Sequence, residues 1–165
     1  MMISDIESDL KSKFPDSLLN VVSEDRRISL LVKKEELHQI LSQLKDIGFN
    51  HFSDVTAVDY IADKEFELIY HLWSHREKIR AIVKVRIPRE APMVKSVFDL
   101  WTGAQIHERE DHELFGIDFE GNPNLSPLFL EDWEEIPPFR KDFDTRKYVK
   151  EKYYQEDEQY PIVKG

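Results

Sequence analysis

The run from Ile79 to Ile87 alternates so regularly that it fixes one element of the fold by itself. Every second side chain is apolar, and the positions between them include Arg80, Lys84 and Arg86. Successive side chains of a strand point to opposite faces of a sheet. The run therefore predicts a strand with one face in the core and one charged face, which Pro88 ends.

The segments around this strand predict a mixed α+β domain. Phe66 to Trp73 also alternates but is apolar on both faces, which is typical of a strand inside a sheet. Apolar residues in Leu37–Ile47 recur at helical spacing, and Gly48 follows where a C-cap glycine belongs. This pattern favours a two-layer α+β sandwich, with a mostly antiparallel sheet and helices on one face. The remaining predicted elements are a helix before Pro15, a hairpin at residues 21–33, a strand at residues 53–61 and a helix from Met93 to about Gly116.

The chain changes character after Gly121. Five of the eight prolines lie between Pro123 and Pro161, and charged residues crowd the same stretch. Prolines at this density oppose a continuous helix or a central strand. We therefore expect a core domain over residues 1–120 and an extended, proline- and charge-rich C-terminal arm over residues 121–165, with one helical turn near Tyr148.

The composition excludes several classes of function. The chain has no cysteine, which rules out a disulfide framework, a cysteine-ligated iron–sulfur cluster and a cysteine zinc site. Its formal net charge of −10 disfavours binding to nucleic acid. Met1–Lys13 lacks the apolar core of a secretory signal, and no stretch approaches the roughly 20 apolar residues that cross a bilayer. We expect membrane contact only through partner proteins.

The segment His107–Gly116 concentrates ionisable side chains at the end of the last predicted helix. Glu108 and Asp111 fall on the same helical stripe as several apolar residues. A buried carboxylate is costly unless it is paired and hydrogen-bonded. Our hypothesis is that the C-terminal arm folds back, so that Arg140 or Lys141 meets Glu108 or Asp111.

Two other interpretations of this segment stay open. The helix end could be solvated, with the helix broken at Thr102–Gly103. A metal site is disfavoured because His107 and His112 are five residues apart and miss the H-E-x-x-H pattern. The chain also has no dinucleotide-binding, Walker A or nucleophile-elbow motif. We therefore predict no catalytic, cofactor-binding or metal-binding residue in this chain.

Two separated blocks of the sequence carry a resemblance to a known family. The first is H-E-R-E-D-H-E-L-F-G-I-D-F-E-G-N-P at residues 107–123, and the second comprises E-D-W at 131–133 and P-F-R-K-D-F at 138–143. Together they resemble the signature of the C-type subunit family of respiratory-chain NADH dehydrogenase (complex I). The chain departs from that family where Asn122 replaces a histidine and Asp144 replaces a proline. The positions expected to form a structural or interface motif are Glu108, Arg109, Glu110, Asp111, Leu114, Phe115, Gly116, Phe119, Trp133, Arg140, Lys141, Asp142 and Phe143.

The resemblance implies a hydrophilic, cofactor-free scaffold subunit in the peripheral arm of a membrane-bound complex, on the cytoplasmic side. The implied partners are a large subunit of the D type, which resembles the hydrogenase large subunit, and a small cluster-bearing subunit of the B type. Iron–sulfur clusters would then lie in the neighbouring subunits. The aromatic residues of the C-terminal arm would anchor on these partners, or else pack on the chain's own core.

Related machines and unrelated functions remain as alternatives. The same type of subunit occurs in energy-converting membrane-bound [NiFe] hydrogenases and in coenzyme F420H2 dehydrogenases. A different class would be a stand-alone, acidic, metal-dependent hydrolase that uses Glu108, Asp111 and the histidines. A generic adaptor protein unrelated to electron transfer is the third alternative.

Overall fold

A five-stranded sheet forms the centre of the protein in the computed structural model, which describes residues 2–154. The end of the predicted C-terminal arm, residues 155–165, lies outside the described residues. The strands lie in the order β1-β2-β5-β4-β3, in which β2 and β5 are parallel and the other neighbours are antiparallel. They are β1 (Leu18–Glu24), β2 (Arg27–Val32), β3 (His51–Tyr60), β4 (Glu65–Ser74) and β5 (Ile79–Pro88).

The register of the sheet collects the apolar side chains on one face. Leu30, Val83, Tyr70 and Val55 lie in one row across β2, β5, β4 and β3, and all four are buried. The helices α1 (Ile3–Lys13), α2 (Leu37–Ile47) and α3 (Ala104–Phe115) add their buried residues to the same core. The predicted α+β sandwich with a mostly antiparallel sheet is confirmed.

The predicted helix from Met93 was wrong in its first half. Met93–Lys95 forms a short strand, β6, that pairs in parallel with β7 (Asp118–Glu120). The helix α3 begins only at Ala104, directly after the Thr102–Gly103 step. The apolar spacing after Met93 fitted a helix, but a strand partner more than twenty residues further along the chain takes up the backbone hydrogen bonds.

The first part of the C-terminal arm has no helix or strand between β7 and residue 145. A nine-residue helix follows, α4 (Thr145–Tyr153), where the sequence predicted one turn. The Asp144 side chain caps it, because its carboxylate accepts hydrogen bonds from the N–H groups of Arg146 and Lys147, each at 3.0 Å. Across residues 2–154, no helix combines the length and the apolar character that crossing a membrane requires.

The glycine that ends α2 offers a test of the local structure. Gly48 has φ = +123° and donates to the carbonyls of Leu44 and Lys45. Because a Cβ is strained at this φ, we expect Gly48→Ala to lower the free energy of unfolding by about 1 kcal/mol in urea denaturation. Gly103→Ala is the control, since Gly103 has φ = −64° and open space around it. Equal losses for the two variants would contradict this explanation.

Candidate functional site

The helix α3 brings most of the predicted motif together and packs its inner face against β3. Ala104, Glu108, Asp111 and Phe115 recur every three or four residues on the buried stripe. Glu108 is fully buried and Asp111 is 3% exposed, so the inner face of this helix end is not solvated. Gly116 ends the helix in the left-handed conformation, and its N–H donates to the carbonyl of His112.

Neutral groups, not cations, satisfy the buried carboxylate of Glu108. It accepts hydrogen bonds from Ser96 Oγ at 2.6 Å, from the N–H of Val97 at 2.8 Å and from Asn122 Nδ2 at 2.8 Å. Burial raises the pKa of Glu108, and these three hydrogen bonds oppose the rise. The side chain thus joins the loop after β6, the helix α3 and the start of the C-terminal arm.

The carboxylate of Asp111, one turn further along α3, is incompletely satisfied. The nearby backbone N–H of Ala57 lowers its pKa, but its Oδ2 atom has no hydrogen-bond partner among the described residues. Burial, followed by repulsion from Glu110, raises the pKa of Asp111 to about 8. The buried hydroxyl of Tyr70 also lacks a described partner, and burial raises its pKa as well.

The expected pairing of the arm's basic residues with these acids was wrong. The Arg140 guanidinium lies over the ring of Phe66, 5.5 Å from its centroid, and its Nε is 3.7 Å from Asp142 Oδ1. Lys141 contributes its backbone N–H, which donates to Asp59 Oδ2 at 2.8 Å. Because neutral donors already enclose Glu108, no cation is needed there, and the arm crosses the end of β3 instead.

An ion-pair network fixes the C-terminal arm at the end of β3, and we call it the Asp59 clamp. Arg89 donates to both oxygens of Asp59, at 2.9 and 3.2 Å, and to Asp142 Oδ1 at 2.6 Å. Burial raises the pKa of Asp59, but the hydrogen bonds from Arg89 and Lys141 outweigh it and hold that pKa below its usual range. The hydrogen bond from Arg89 likewise lowers the pKa of Asp142. The clamp is therefore fully ionised at neutral pH.

The outer face of α3 holds the first loop of the C-terminal arm, residues 126–130. Arg109 donates from Nε and Nη2 to the carbonyls of Ser126 and Pro127. One turn later, the Glu113 carboxylate accepts from three consecutive backbone N–H groups, those of residues 128–130, at shortest distances of 3.0, 2.9 and 2.7 Å. Together these two side chains fix the backbone of the loop through both its carbonyl and its amide groups.

The other predicted motif residues are divided between the core and the C-terminal arm. Phe119 is buried, and the ring of Phe115 contacts Phe139 edge-on at 5.7 Å. Gly116 lies so close to the arm that an added Cβ would be 3.0 Å from Pro137 Cγ. Leu114 belongs to the core, Glu110 is half-buried, and Trp133, Phe143 and Tyr148 form an aromatic cluster with centroids 5.0–5.5 Å apart.

The histidines of the motif have local partners. His112 Nδ1 is 2.8 Å from the carbonyl oxygen of Ile117, and the ring of His107 lies 5.9 Å from that of Phe52. Within residues 2–154, no three His, Asp or Glu side chains are grouped so that they could hold a metal ion.

The sequence interpretation missed Asp59, Arg89, Ser96, Asn122 and Glu113. A signal existed for Asp59, which continues the inward alternation of Val55 and Ala57 and so places a carboxylate on the buried face. The other four depend on contacts between distant segments, which periodicity does not report.

Comparison with known proteins places these features in a family context. Residues 30–149 match the protein family described as "Respiratory-chain NADH dehydrogenase, 30 Kd subunit". The chain is 36% identical to the C-type subunit of NADH-quinone oxidoreductase from Citrifermentans bemidjiense, over 87% of this chain and 91% of the relative. It is 35% identical to the C-type subunit of F420H2 dehydrogenase from Methanosarcina mazei, with 84% and 89% covered.

Solved structures share the fold. A chain of the membrane-bound sulfane sulfur reductase, an archaeal respiratory membrane complex, superposes with a TM-score of 0.84 at 32% identity, over 97% of this chain and 96% of that chain. The trypsin-resistant fragment (1-134) of Nqo5 superposes with a TM-score of 0.64 at 28% identity, over 76% of this chain and all of the fragment.

The hydrogen bonds to Glu108 predict a marked sensitivity to an isosteric change. Glu108→Gln puts an amide N–H₂ among three donors, so we expect a loss of about 1–3 kcal/mol in the free energy of unfolding, measured with urea. Glu120→Gln is the matched control, because Glu120 is exposed and the same change there should cost less than about 0.5 kcal/mol. Equal stability of the two variants would rule out the structural role of Glu108.

Substitution of Asp111 should raise the free energy of unfolding instead of lowering it, by an amount that depends on pH. Its folded-state pKa of about 8 lies above the value for an unfolded chain, so the native state holds a proton that the unfolded state loses. Stability due to this group therefore falls as pH rises from about 4 to 8. We expect Asp111→Asn to gain stability relative to wild type across this window and to show a constant difference above it, measured by urea denaturation at each pH. A difference that is independent of pH would contradict the assignment.

Proposed function

Because the chain belongs to the respiratory-chain NADH dehydrogenase 30 kDa subunit family, we propose that it is the cofactor-free scaffold subunit, of the C type, of a complex I-like oxidoreductase. In this role the chain would carry no redox centre itself. It would brace the peripheral arm of the complex, where partner subunits transfer electrons.

The main support for this proposal is the loop at residues 126–130, which α3 holds in place while a large apolar side chain of the loop stays exposed. Arg109 and Glu113 hold residues 126–130 rigidly, yet Phe129 within that loop is 61% exposed. Further along the C-terminal arm, Ile136 and Phe139 are 43% and 59% exposed. Large apolar side chains on a preorganised backbone are typical of binding surfaces, because little conformational entropy is lost on docking.

The chemistry of the chain supports an indirect contribution to turnover. The buried or partly buried acids Glu108, Asp59 and Asp142 hold segments of the chain together. Several aromatic residues of the C-terminal arm lie at its surface. A rigid sheet with an arm fixed at two places can set the distance between two neighbours. The subunit would thereby keep redox centres of adjacent subunits at a constant spacing.

Family membership also suggests the partners. The relatives are named as subunits of NADH-quinone oxidoreductase and F420H2 dehydrogenase, so each belongs to an assembly of several chains. We propose contacts with a large D-type subunit and a small B-type subunit that carries an iron–sulfur cluster, on the cytoplasmic side of the membrane. Membrane association would come from the assembled complex.

A second candidate is the equivalent subunit of a related respiratory complex. Its support is the superposition on a chain of the archaeal sulfane sulfur reductase, which extends over 97% of this chain with a TM-score of 0.84. Purification of the tagged chain from its native cells, with mass spectrometry of the partners, separates the two candidates. Recovery of an NADH-binding partner favours the complex I-like oxidoreductase. Recovery of a hydrogenase-like large subunit with no NADH-binding partner favours the related respiratory complex.

The exposed Phe129 provides the direct test of the scaffold role. We expect Phe129→Ala to leave the stability of the isolated chain within about 0.5 kcal/mol of wild type, because the side chain is largely in solvent. In cells, the same variant should recover at least about fivefold less of its partner subunits, because an aromatic anchor is lost. The measurement is quantitative mass spectrometry after affinity purification.

The matched control is Leu19→Ala, an apolar truncation on β1 where the side chain is 56% exposed. It should recover partners as wild type does. If wild type itself recovers no partner subunits, the scaffold proposal fails. If both variants assemble fully, the loop is not part of the interface.

A further inference from the structure

A cleft of about 530 Å³ opens between α3 and the edge strand β3. Its polar lining is acidic, with Asp54 from β3 and Glu110 and Asp111 from α3, next to His107. The exposed ring of Phe139, from the C-terminal arm, forms part of the rim. The cleft thus collects three carboxyl groups that take no part in the Asp59 clamp.

Asp111 provides an independent sign that this cleft binds something. The residue lines the cleft, yet only 3% of its surface reaches solvent. Its Oδ2 atom has no hydrogen-bond partner within residues 2–154. An unsatisfied buried carboxylate destabilises a fold unless a further group completes its hydrogen bonds.

The described part of the chain does not supply that group. Two basic residues of the C-terminal arm, Arg140 and Lys141, lie against Phe66 and Asp59 instead. A metal ion is a poor occupant, because no three potential ligands are grouped for it within the described residues. The complement of an acidic, partly enclosed cleft with an aromatic rim is a basic side chain from another protein.

We propose that this cleft receives an arginine side chain from a partner subunit, with its guanidinium on Asp111 and its plane against Phe139. The inference rests on the proposed scaffold function and adds the chemistry of one contact. Arginine fits better than lysine because it binds a carboxylate with two parallel hydrogen bonds and stacks on aromatic rings. Glu110 and Asp54, which also line the cleft, would attract the cation as it enters.

Two measurements on Asp111→Asn test the contact. In the tagged chain purified from its native cells, we expect the variant to recover at least about fivefold less of its partner subunits than wild type, because the arginine loses its charged acceptor. In the isolated chain, we expect the melting temperature to be unchanged or higher, because a neutral amide replaces a buried carboxyl group that lacks a hydrogen-bond partner at Oδ2. A residue with a purely structural role would lower the melting temperature instead.

The control variant is Asp46→Asn, at an exposed acid on α2 that does not line the cleft. It should recover partners as wild type does. Full recovery of partners by Asp111→Asn would overturn the inference, and so would a lower melting temperature together with a loss of partners.

A crosslinking experiment identifies the occupant directly. Phe139 is replaced by the photoreactive analogue p-benzoylphenylalanine, which preserves an aromatic ring at the rim. Irradiation of the purified complex should attach it to a partner peptide at or beside an arginine. Attachment only within this chain, or to a partner segment without a basic residue, would overturn the inference. Recovery of partners by wild type in the same experiment separates this failure from a failure of the scaffold function.

Discussion

The carboxylate of Glu108 is the contact on which the rest of this structure depends. It joins the loop after β6, the helix α3 and the first residues of the C-terminal arm through hydrogen bonds from Ser96, Val97 and Asn122. Because these donors are neutral, the carboxylate is stabilised without a buried counter-ion, whose own desolvation would be costly. With its inner face fixed in this way, α3 can use its outer face to hold the loop at residues 126–130.

The two buried acids of α3 differ in their hydrogen bonds, and this difference suggests different roles. Glu108 holds the fold together, whereas Asp111 is available to a partner protein. Glu108 accepts hydrogen bonds at both of its oxygens, whereas Asp111 lies one turn away with an oxygen unsatisfied among the described residues. Both residues are almost completely buried, so burial alone does not explain the difference. Such a helix suits a subunit that folds by itself but needs a neighbouring subunit to supply the missing hydrogen bond to Asp111.

How far the sequence predicted this structure depended on the distance between the interacting segments. Period-two alternation was sufficient for β4 and β5, and helical spacing with a C-cap glycine was sufficient for α2. The apolar spacing also predicted that the helix starts at Met93. Met93–Lys95 is instead a strand, because it pairs with the parallel strand β7, which spacing along the sequence does not reveal. The predicted pairing of Arg140 or Lys141 with Glu108 or Asp111 was also wrong. Asp59 is the acid that meets the arm, through the N–H of Lys141, and it also binds Arg89; these residues lie 82 and 30 positions away along the chain.

The acids of the Asp59 clamp have lowered pKa values, whereas Asp111 in the cleft has a raised one. The two regions therefore depend on pH in opposite directions. Asp59 and Asp142 have lowered pKa values, so the stability that they contribute is present above the ordinary carboxyl range and is lost only as pH falls through the folded-state values. The position of the C-terminal arm is therefore constant across neutral pH. Asp111 has its pKa near 8, so its charge in the isolated chain is incomplete until a cation approaches. A partner's arginine would thus meet a preformed arm and a carboxyl group that ionises fully only when the contact forms.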